Sequence, residues 1–522
     1  MPIAQAVREA YARGEEDEQL LPLVAVDESG DPLGRIKPGD CVFFYDIRGE
    51  REVELSRSFT EKDFKEFPVV RGLNPNYLTM IEYAKSLGVR VAFPPERIEN
   101  TLCSIVSQNG LKQAKIAESE KSTHVIYFLN GKSNEKLPGE ERILIESLRD
   151  VKTFDEKPEM CAREVAEAAM KAAEQKSLSL IVVNFANVDV VGHSEKAEAI
   201  RKAVETVDTC LGLVLEKNGK LGLTTIVTAD HGTVEKWLYP DGKIDTGHTN
   251  SPVPFILVEP DARIREKIRI REGGALTDIA PTVLQIMGIQ KPKIMTGESL
   301  ITQSPYGSTN RRLMLIVLDG WGHSDETRGN LIKSSKTPTM DSITARFPNT
   351  LLAASGEAVG MPPGTVGNSE VGHLHIGAGR KILSDRVRID RSIADGSFFK
   401  NAEIVGLYRK ARETGTHLHL LGIVSFYSSH GSIEHLRALM KLAKEEGLKD
   451  VRIHAILGRR GERPESGARY VDDVEKEASE LGIGHVLTVI GRYWALDRDG
   501  YWDRIERTYR TLVYGDGRKV RI

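Results

Sequence analysis

Three apolar runs constrain this chain more than any other feature. They are SLIVVNFA (179–186), TTIVTAD (224–230) and LMLIVLDG (313–320). Each reads as a buried strand, and helical patterns lie between them. Strands alternating with helices predict parallel βαβ units and an α/β fold. Each run also ends at, or just before, side chains that bind ligands. Asp189 follows the first, with His193 four residues on; Asp230 and His231 follow the second; Asp319 ends the third. In doubly wound sheets, ligands sit outside the carboxyl ends of the strands.

The pattern continues on both sides. Residues 1–27 predict a helix and then a strand, and Cys41–Ile47 a short buried strand followed by Arg48 and Arg51. Further helices are expected at 101–110, 158–174, about 195–216, 277–287 and 337–347, with strands at 124–130 and 252–259. A last region begins near 383. It has helices at 403–414, 432–446, 471–480 and 500–513 and strands at 417–424, 451–457 and 485–491. Residues 303–311, QSPYGSTNR, read as a polar linker.

Composition removes several function classes. The chain has 522 residues, 28% of them charged, and a net charge of −3, which gives no support for nucleic acid or an anionic membrane as partner. Cys41, Cys103, Cys161 and Cys210 are scattered without a CxxC, so they read as free thiols. The N-terminus is polar, and no apolar run approaches the roughly 20 residues of a membrane span. A cytoplasmic monomer is the expectation.

The stretch Met361–Arg380, MPPGTVGNSEVGHLHIGAGR, carries Ser369 among five glycines. It is read as a loop that presents a nucleophile. A Gly-Ser turn alone is ordinary, and a single strand-end Asp is more often a helix cap than a ligand. Asp189, His193, Asp230, His231, His248 (in TGHTNSP), Asp319 and Ser369 together outweigh a purely structural account. Carboxylates and imidazoles without thiolate suit Mn²⁺, with Zn²⁺ as the other choice. Two such ions could activate a serine and stabilise an in-line phosphoryl transfer. Arg48, Arg51, Lys121, Arg459, Arg460, Arg492 and Arg498 fall at strand ends or in loops, where they could bind phosphate or carboxylate. No GxSxG and no GxxxxGK[ST] occurs, which disfavours a triad hydrolase or a P-loop kinase.

These residues resemble a known family, the cofactor-independent (2,3-bisphosphoglycerate-independent) phosphoglycerate mutases of the alkaline phosphatase superfamily. The resemblance rests on LDGWG (318–322), SGEAVGMPPGTVGNSEVGHLHIGAGR (355–380), NFANVDVVGH (184–193), TADHG (228–232), GHTNSPVPFILV (247–258), AESEKSTHV (117–125), PGEERILI (138–145) and GRYWALDRD (491–499). It implies that Asp189, His193 and His248 hold one Mn²⁺, and that Asp319, Ser369, Asp230 and His231 hold another, with Zn²⁺ or Co²⁺ possible. It implies no 2,3-bisphosphoglycerate cofactor. Ser369 is then the phosphoryl carrier in the interconversion of 3- and 2-phosphoglycerate. Arg48, Arg51, Lys121, His430, Arg460, Arg492 and Arg498 match substrate-binding positions.

The order differs from the family's: residues 1–302 look like its second half and 312–522 like its first. A circular permutant follows, with 303–311 joining the usual termini. Its expected domains are a metal-binding, phosphatase-like one at 92–383 and a substrate-binding, transferase one made of 1–91 and 384–522. Two loops depart from the pattern. SFYSSHGS (425–432) stands where the family reads SDGGVHSH, and GRRG (458–461) where it reads DGRD, so Gly461 replaces an aspartate. A paralogue acting on another phosphorylated or phosphonylated hydroxy acid, or a phosphatase, is the alternative.

Overall fold

The run at 313–320 forms the strand Leu313–Leu318, buried along its whole length. It pairs in parallel with Leu178–Phe185 on one side and Thr224–Thr228 on the other. Val317 faces both Asn184 and Thr228, so the three strands end level with one another. This register brings Asp319, Asp230 and the short helix Asn187–Gly192, with Asp189, to one edge of the sheet. These strands lie within an eight-stranded sheet in a computed structural model that describes residues 2–303, 305–307, 311–426, 428–458 and 465–522. Beyond Leu178–Phe185 come Lys112–Glu118 and Glu140–Ile145, both parallel. On the other side Val253–Val258 runs antiparallel to both Thr224–Thr228 and Asn349–Ala353, and Gly274–Ala275, parallel to Asn349–Ala353, closes the row. The sheet is therefore mixed, with a parallel centre.

The chain divides into two units, Met1–Glu96 with Asp385–Ile522, and Arg97–Ser384. In the second, the helices Ala162–Glu174 and Ala197–Leu221 cover the parallel strands. Ala162, Ala166, Ala169 and Ala173 form a small, fully buried face that lets the helix lie close to its neighbours. Leu315, Ile316 and Val317 have no exposed surface, so truncating Leu315 or Ile316 to Ala costs about 2–5 kcal/mol.

Two expectations fail here. Residues 124–130 are not a strand: His124–Phe128 is one turn of π-helix, closed by Leu129 N–H donating to the His124 carbonyl at 3.0 Å. The strand of this region is Lys112–Glu118. Its hydrophobic alternation is masked by Lys115, which is fully buried and donates to Asn130 Oδ1 at 2.5 Å. The apolar side chains of HVIYFLN are used instead to pack under the second failure, the expected nucleophile loop. Ser369 is not on a loop but opens the helix Ser369–Ala378. Asn368 caps this helix, its side chain accepting from Val371 N–H at 2.9 Å.

The other unit interleaves both ends of the chain in one eight-stranded sheet. Cys41–Phe44 pairs in parallel with Leu418–Ile423, and outward from there lie Val451–Leu457 and Gly484–Gly491 on one side, Asn76–Ile81 and Arg90–Phe93 on the other. Leu23–Val26, antiparallel to Gly484–Gly491, and Arg518–Arg521 complete it. Among the described residues, no helix is long and apolar enough to cross a membrane.

Candidate functional site

Ser369 Oγ sits at the centre of the side chains gathered at the sheet edge. Lys121 Nζ donates to it at 2.7 Å, and the same ammonium donates to Asp189 Oδ2 at 2.5 Å and Asp319 Oδ1 at 2.7 Å. The hydroxyl lies 3.0 Å from both Asp319 Oδ1 and His231 Nε2. Asp189 Oδ1 faces three imidazoles: His248 Nε2 at 3.1 Å, His193 Nε2 at 3.4 Å and His231 Nε2 at 3.6 Å. All seven residues expected to bind metal therefore meet in this unit. Lys121, expected to bind substrate, is placed among them.

The backbone explains the convergence. Asp319 N–H donates to the Phe185 carbonyl, and Asp189 N–H to the Asp319 carbonyl, each at 3.1 Å. Gly320 has φ +80°, and a Cβ there would stand 2.8 Å from the Asp189 backbone, so only glycine allows this approach.

The donor set fits divalent metal. His193, His231 and His248 each engage a backbone carbonyl through Nδ1, those of Thr246, Gly232 and Gly367. That fixes the tautomer with Nε2 turned inward. The Nε2 atoms of His193 and His248 are 3.2 Å apart beside a carboxylate oxygen. Uncharged, they would set lone pairs against one another, so a positive charge belongs among them. Among the described residues, Asp230 Oδ2 is buried, 3.2 Å from His373 Nδ1, and accepts no hydrogen bond. Two groups of three ligands emerge, Asp189–His231–His248 and Asp230–His231–Asp319.

Electrostatics agree. Burial disfavours charge on Asp319 and Asp189, but Lys121 and His231 overcome it and hold both carboxyls well below the usual range. Burial likewise opposes charge on His231, yet Asp230 and Asp189 raise it to about 10. Three carboxylates thus draw in every available cation.

Other members were not singled out in the sequence. Asn184 donates to Asp319 Oδ2 at 2.7 Å and contacts His373 Nε2 at 3.1 Å. His373 Nδ1 donates to the Ser369 carbonyl at 2.9 Å. Buried Glu235 accepts from Thr233 N–H at 2.9 Å and from the Thr249 hydroxyl, tying the His231 turn to the His248 loop. The spacing Ser369-x-x-x-His373 would have revealed His373 had the segment been read as helix.

The remaining expected residues lie in the other unit. Arg48 contacts Glu50 at 3.4 Å and Ser429 Oγ at 3.5 Å, and Arg498 also pairs with Glu50. Arg51 donates to the Leu496 carbonyl at 3.0 Å. Arg492 Nε is 3.4 Å from Glu18. His430 pairs with Glu52. Arg459, Arg460 and Gly461 lie outside the described residues.

Comparison with known proteins shows what this chain is similar to. The metalloenzyme superfamily pattern matches residues 34–291, and the pattern of the BPG-independent PGAM N-terminus matches residues 389–521. The 2,3-bisphosphoglycerate-independent phosphoglycerate mutase of Picosynechococcus sp. is 44% identical over 315 residues, 59% of this chain and 58% of that protein. The Gloeobacter violaceus protein of the same name is 43% identical over 306 residues, 58% of this chain and 56% of that protein. The aligned part thus spans less than two thirds of these relatives. A crystal structure of Leishmania mexicana phosphoglycerate mutase at low cobalt concentration aligns with a TM-score of 0.40 and 29% identity, covering 53% of each chain. The chain therefore carries a metalloenzyme-superfamily domain and a domain of the BPG-independent PGAM N-terminus type, and over its aligned part it is 43–44% identical to 2,3-bisphosphoglycerate-independent phosphoglycerate mutases.

Proposed function

We propose that this chain interconverts 3- and 2-phosphoglycerate by way of a phosphoserine at Ser369. The observation that carries this reading is the setting of Ser369 Oγ. It lies at a helix N-terminus, within 3.0 Å of Lys121, Asp319 and His231. When bound, two Mn²⁺ ions on Asp189, His193 and His248 and on Asp319, Ser369, Asp230 and His231 would polarise phosphoryl oxygens and favour the serine alkoxide. Ser369 Oγ attacks the phosphorus in line and the hydroxy acid departs. The Lys121 ammonium and the positive end of the helix dipole offset the charge of the arriving phosphoryl group. The other hydroxyl of the acid then takes the group back. Arg48, Arg51, Arg460, Arg492 and Arg498 are suited to the carboxylate and phosphate of such a substrate.

The test is an assay of the metal-loaded protein with Mn²⁺, coupled to enolase, beside intact-mass analysis of Ser369. Turnover, with a phosphoryl adduct absent from Ser369→Ala, supports the reading; pure loaded protein without turnover defeats it. The altered segment SFYSSHGS favours a second reading, transfer to or from a different hydroxy acid. Adduct formation with another phosphorylated acid, but not with phosphoglycerate, would select it.

We also infer that the chain is a circular permutant relative to the phosphoglycerate mutases it resembles. The pattern described as the family's N-terminus matches the last quarter of this chain, and both chain ends supply strands to one sheet. In this reading 92–383 is the metal-binding domain, 1–91 with 384–522 binds substrate, and 303–311 joins the family's usual termini. A gene placing 312–522 before 1–302 should yield a folded protein with the same activity; an unfolded product would refute this.

A further inference from the structure

Ser369 closes a ring of hydrogen bonds that runs through Asp319, Asn184 and His373. Its hydroxyl donates to Asp319 Oδ1 at 3.0 Å, and Asn184 Nδ2 donates to the other oxygen of that carboxylate, Oδ2, at 2.7 Å. The same Asn184 nitrogen stands 3.1 Å from His373 Nε2, and His373 Nδ1 stands 2.9 Å from the Ser369 carbonyl oxygen. The path thus leaves the serine by its hydroxyl and returns to it by its backbone. All four residues belong to the unit Arg97–Ser384. Asn184, Asp319 and His373 have no exposed surface, so the links between them are shielded from water.

The chemistry of the ring allows one arrangement of its hydrogens. An ionised carboxylate only accepts, so the Asn184 atom 2.7 Å from Asp319 Oδ2 is the amide nitrogen. That nitrogen only donates, and its second hydrogen faces His373 Nε2. Nε2 therefore accepts, and the imidazole carries its hydrogen on Nδ1, where the Ser369 carbonyl receives it. Asp230 Oδ2, buried 3.2 Å from the same Nδ1, adds negative charge on the side of that hydrogen. The opposite tautomer would set N–H against N–H at Asn184 and a lone pair against oxygens at Ser369 and Asp230. Among the described residues Asn184 Oδ1 is buried without a partner, so the amide is held for its two donors.

Two contacts fix the ring in place. His373 lies one turn beyond Ser369 on the helix Ser369–Ala378, and Gly372 lets that helix approach Asp230, where a Cβ would stand 2.5 Å from the carbonyl oxygen. The ring of His124, from the π-helical turn, packs against that of His373 with centroids 5.7 Å apart.

We infer that His373 and Asn184 are positioning residues that hold Asp319 Oδ1 toward Ser369 Oγ, so that the two oxygens face one cation together. This rests on the metal-dependent phosphoryl-transfer reading above. A carboxylate anchored through Oδ1 alone can turn about its Cβ–Cγ bond; anchored through Oδ2 as well, it keeps Oδ1 toward the serine and Lys121. To act as ligand and nucleophile, the serine gives up its proton and with it the link to Oδ1. The other three links use no serine proton, so they persist and keep the carboxylate aimed. Neither His373 nor Asn184 supplies a ligand or a proton; each acts through Asp319 and the Ser369 backbone.

Two measurements on the full chain decide it. An asparagine amide takes the place of histidine Nδ1 and a glutamine amide that of Nε2, so the two ends of the imidazole can be separated. His373→Asn keeps a donor for the Ser369 carbonyl but loses the acceptor for Asn184, and His373→Gln keeps that acceptor. In isothermal titration, His373→Asn should weaken Mn²⁺ binding about 10–100-fold, and His373→Gln should recover at least about fivefold of that loss. Asn184→Leu breaks the same link, so adding it to His373→Asn should weaken binding no more than about twofold beyond the larger single loss. An Asn variant within about threefold of wild type, a Gln variant no better than Asn, or losses that multiply in the double variant overturns the proposal. The second measurement needs no metal. In ¹⁵N-histidine-labelled protein in EDTA near neutral pH, the His373 signals, assigned by their loss in His373→Asn, should show a hydrogen on Nδ1 and a bare Nε2. A hydrogen on Nε2, alone or together with one on Nδ1, overturns the ring. Neither readout uses a substrate. Wild-type protein inactive on phosphoglycerate would defeat that substrate assignment, while metal affinity and tautomer still decide the ring.

Discussion

Replacing Lys121 with Met tests the electrostatic account of the site. The ammonium is 4% exposed and lies 2.5 and 2.7 Å from the Asp189 and Asp319 carboxylates. At an effective dielectric of about 20, each contact is worth roughly 6 kcal/mol, much of it offset by desolvation of the ions. Removing one partner of such a buried pair leaves the other charges uncompensated and costs about 3–5 kcal/mol. With roughly 2–3 °C of Tm per kcal/mol for a unit of this size, Lys121→Met should melt roughly 6–15 °C lower in EDTA. Divalent metal supplies the missing charge. At Mn²⁺ near 100 times Kd, binding stabilises the wild type by about 2.7 kcal/mol, and the variant by more, because its empty site is more negative. The deficit should therefore shrink when Mn²⁺ is added. Calorimetric melts of both proteins, in EDTA and in Mn²⁺, measure all four states. An unchanged Tm in EDTA, or a deficit that Mn²⁺ leaves untouched, refutes the reasoning.

Other parts of the structure give sharp expectations. A Cβ at Gly372 would sit 2.5 Å from the Asp230 carbonyl oxygen, so Gly372→Ala should lower stability by about 1–3 kcal/mol in urea titration; helix propensity alone predicts a gain of roughly 1 kcal/mol. Glu235→Gln should weaken Mn²⁺ binding by about 10–100-fold in isothermal titration, since Glu235 ties the His231 turn to the His248 loop. Burial keeps the proton on the Glu52 carboxyl to about pH 8 when folded, but the group loses it near 4.5 when unfolded. Between those values the folded state binds more protons, so this group's contribution to stability falls as pH rises. Glu52→Gln should remove up to about 1.4 kcal/mol per pH unit of that slope in urea titrations at successive pH values. Equal slopes in the two proteins would count against the burial argument.

Local sequence pattern sets the framework. Runs such as LMLIVL bury themselves wherever they fall, and parallel pairing carries their terminal acids to a common edge, so Asp189, Asp230 and Asp319 could be picked out with the histidines around them. Periodicity is a local property and survives reading in isolation. What it could not reveal depended on partners distant in the chain. KQAKIAE hid a strand because Lys115 can be buried only with Asn130 and Glu140 beside it. HVIYFLN has the composition of a strand, yet it folds as a helical turn beneath Ser369–Ala378 because the neighbouring sheet position is taken by Glu140–Ile145. Ser369 stood out from its neighbours as the candidate nucleophile, but its place at a helix N-terminus followed from the Asn368 cap and the close approach at Gly372. Lys121 among the acids and Glu52 against His430 were decided by tertiary structure alone. Their partners are separated from them by 68 to 378 residues, and a charge acquires its role only from the charges folding brings to it.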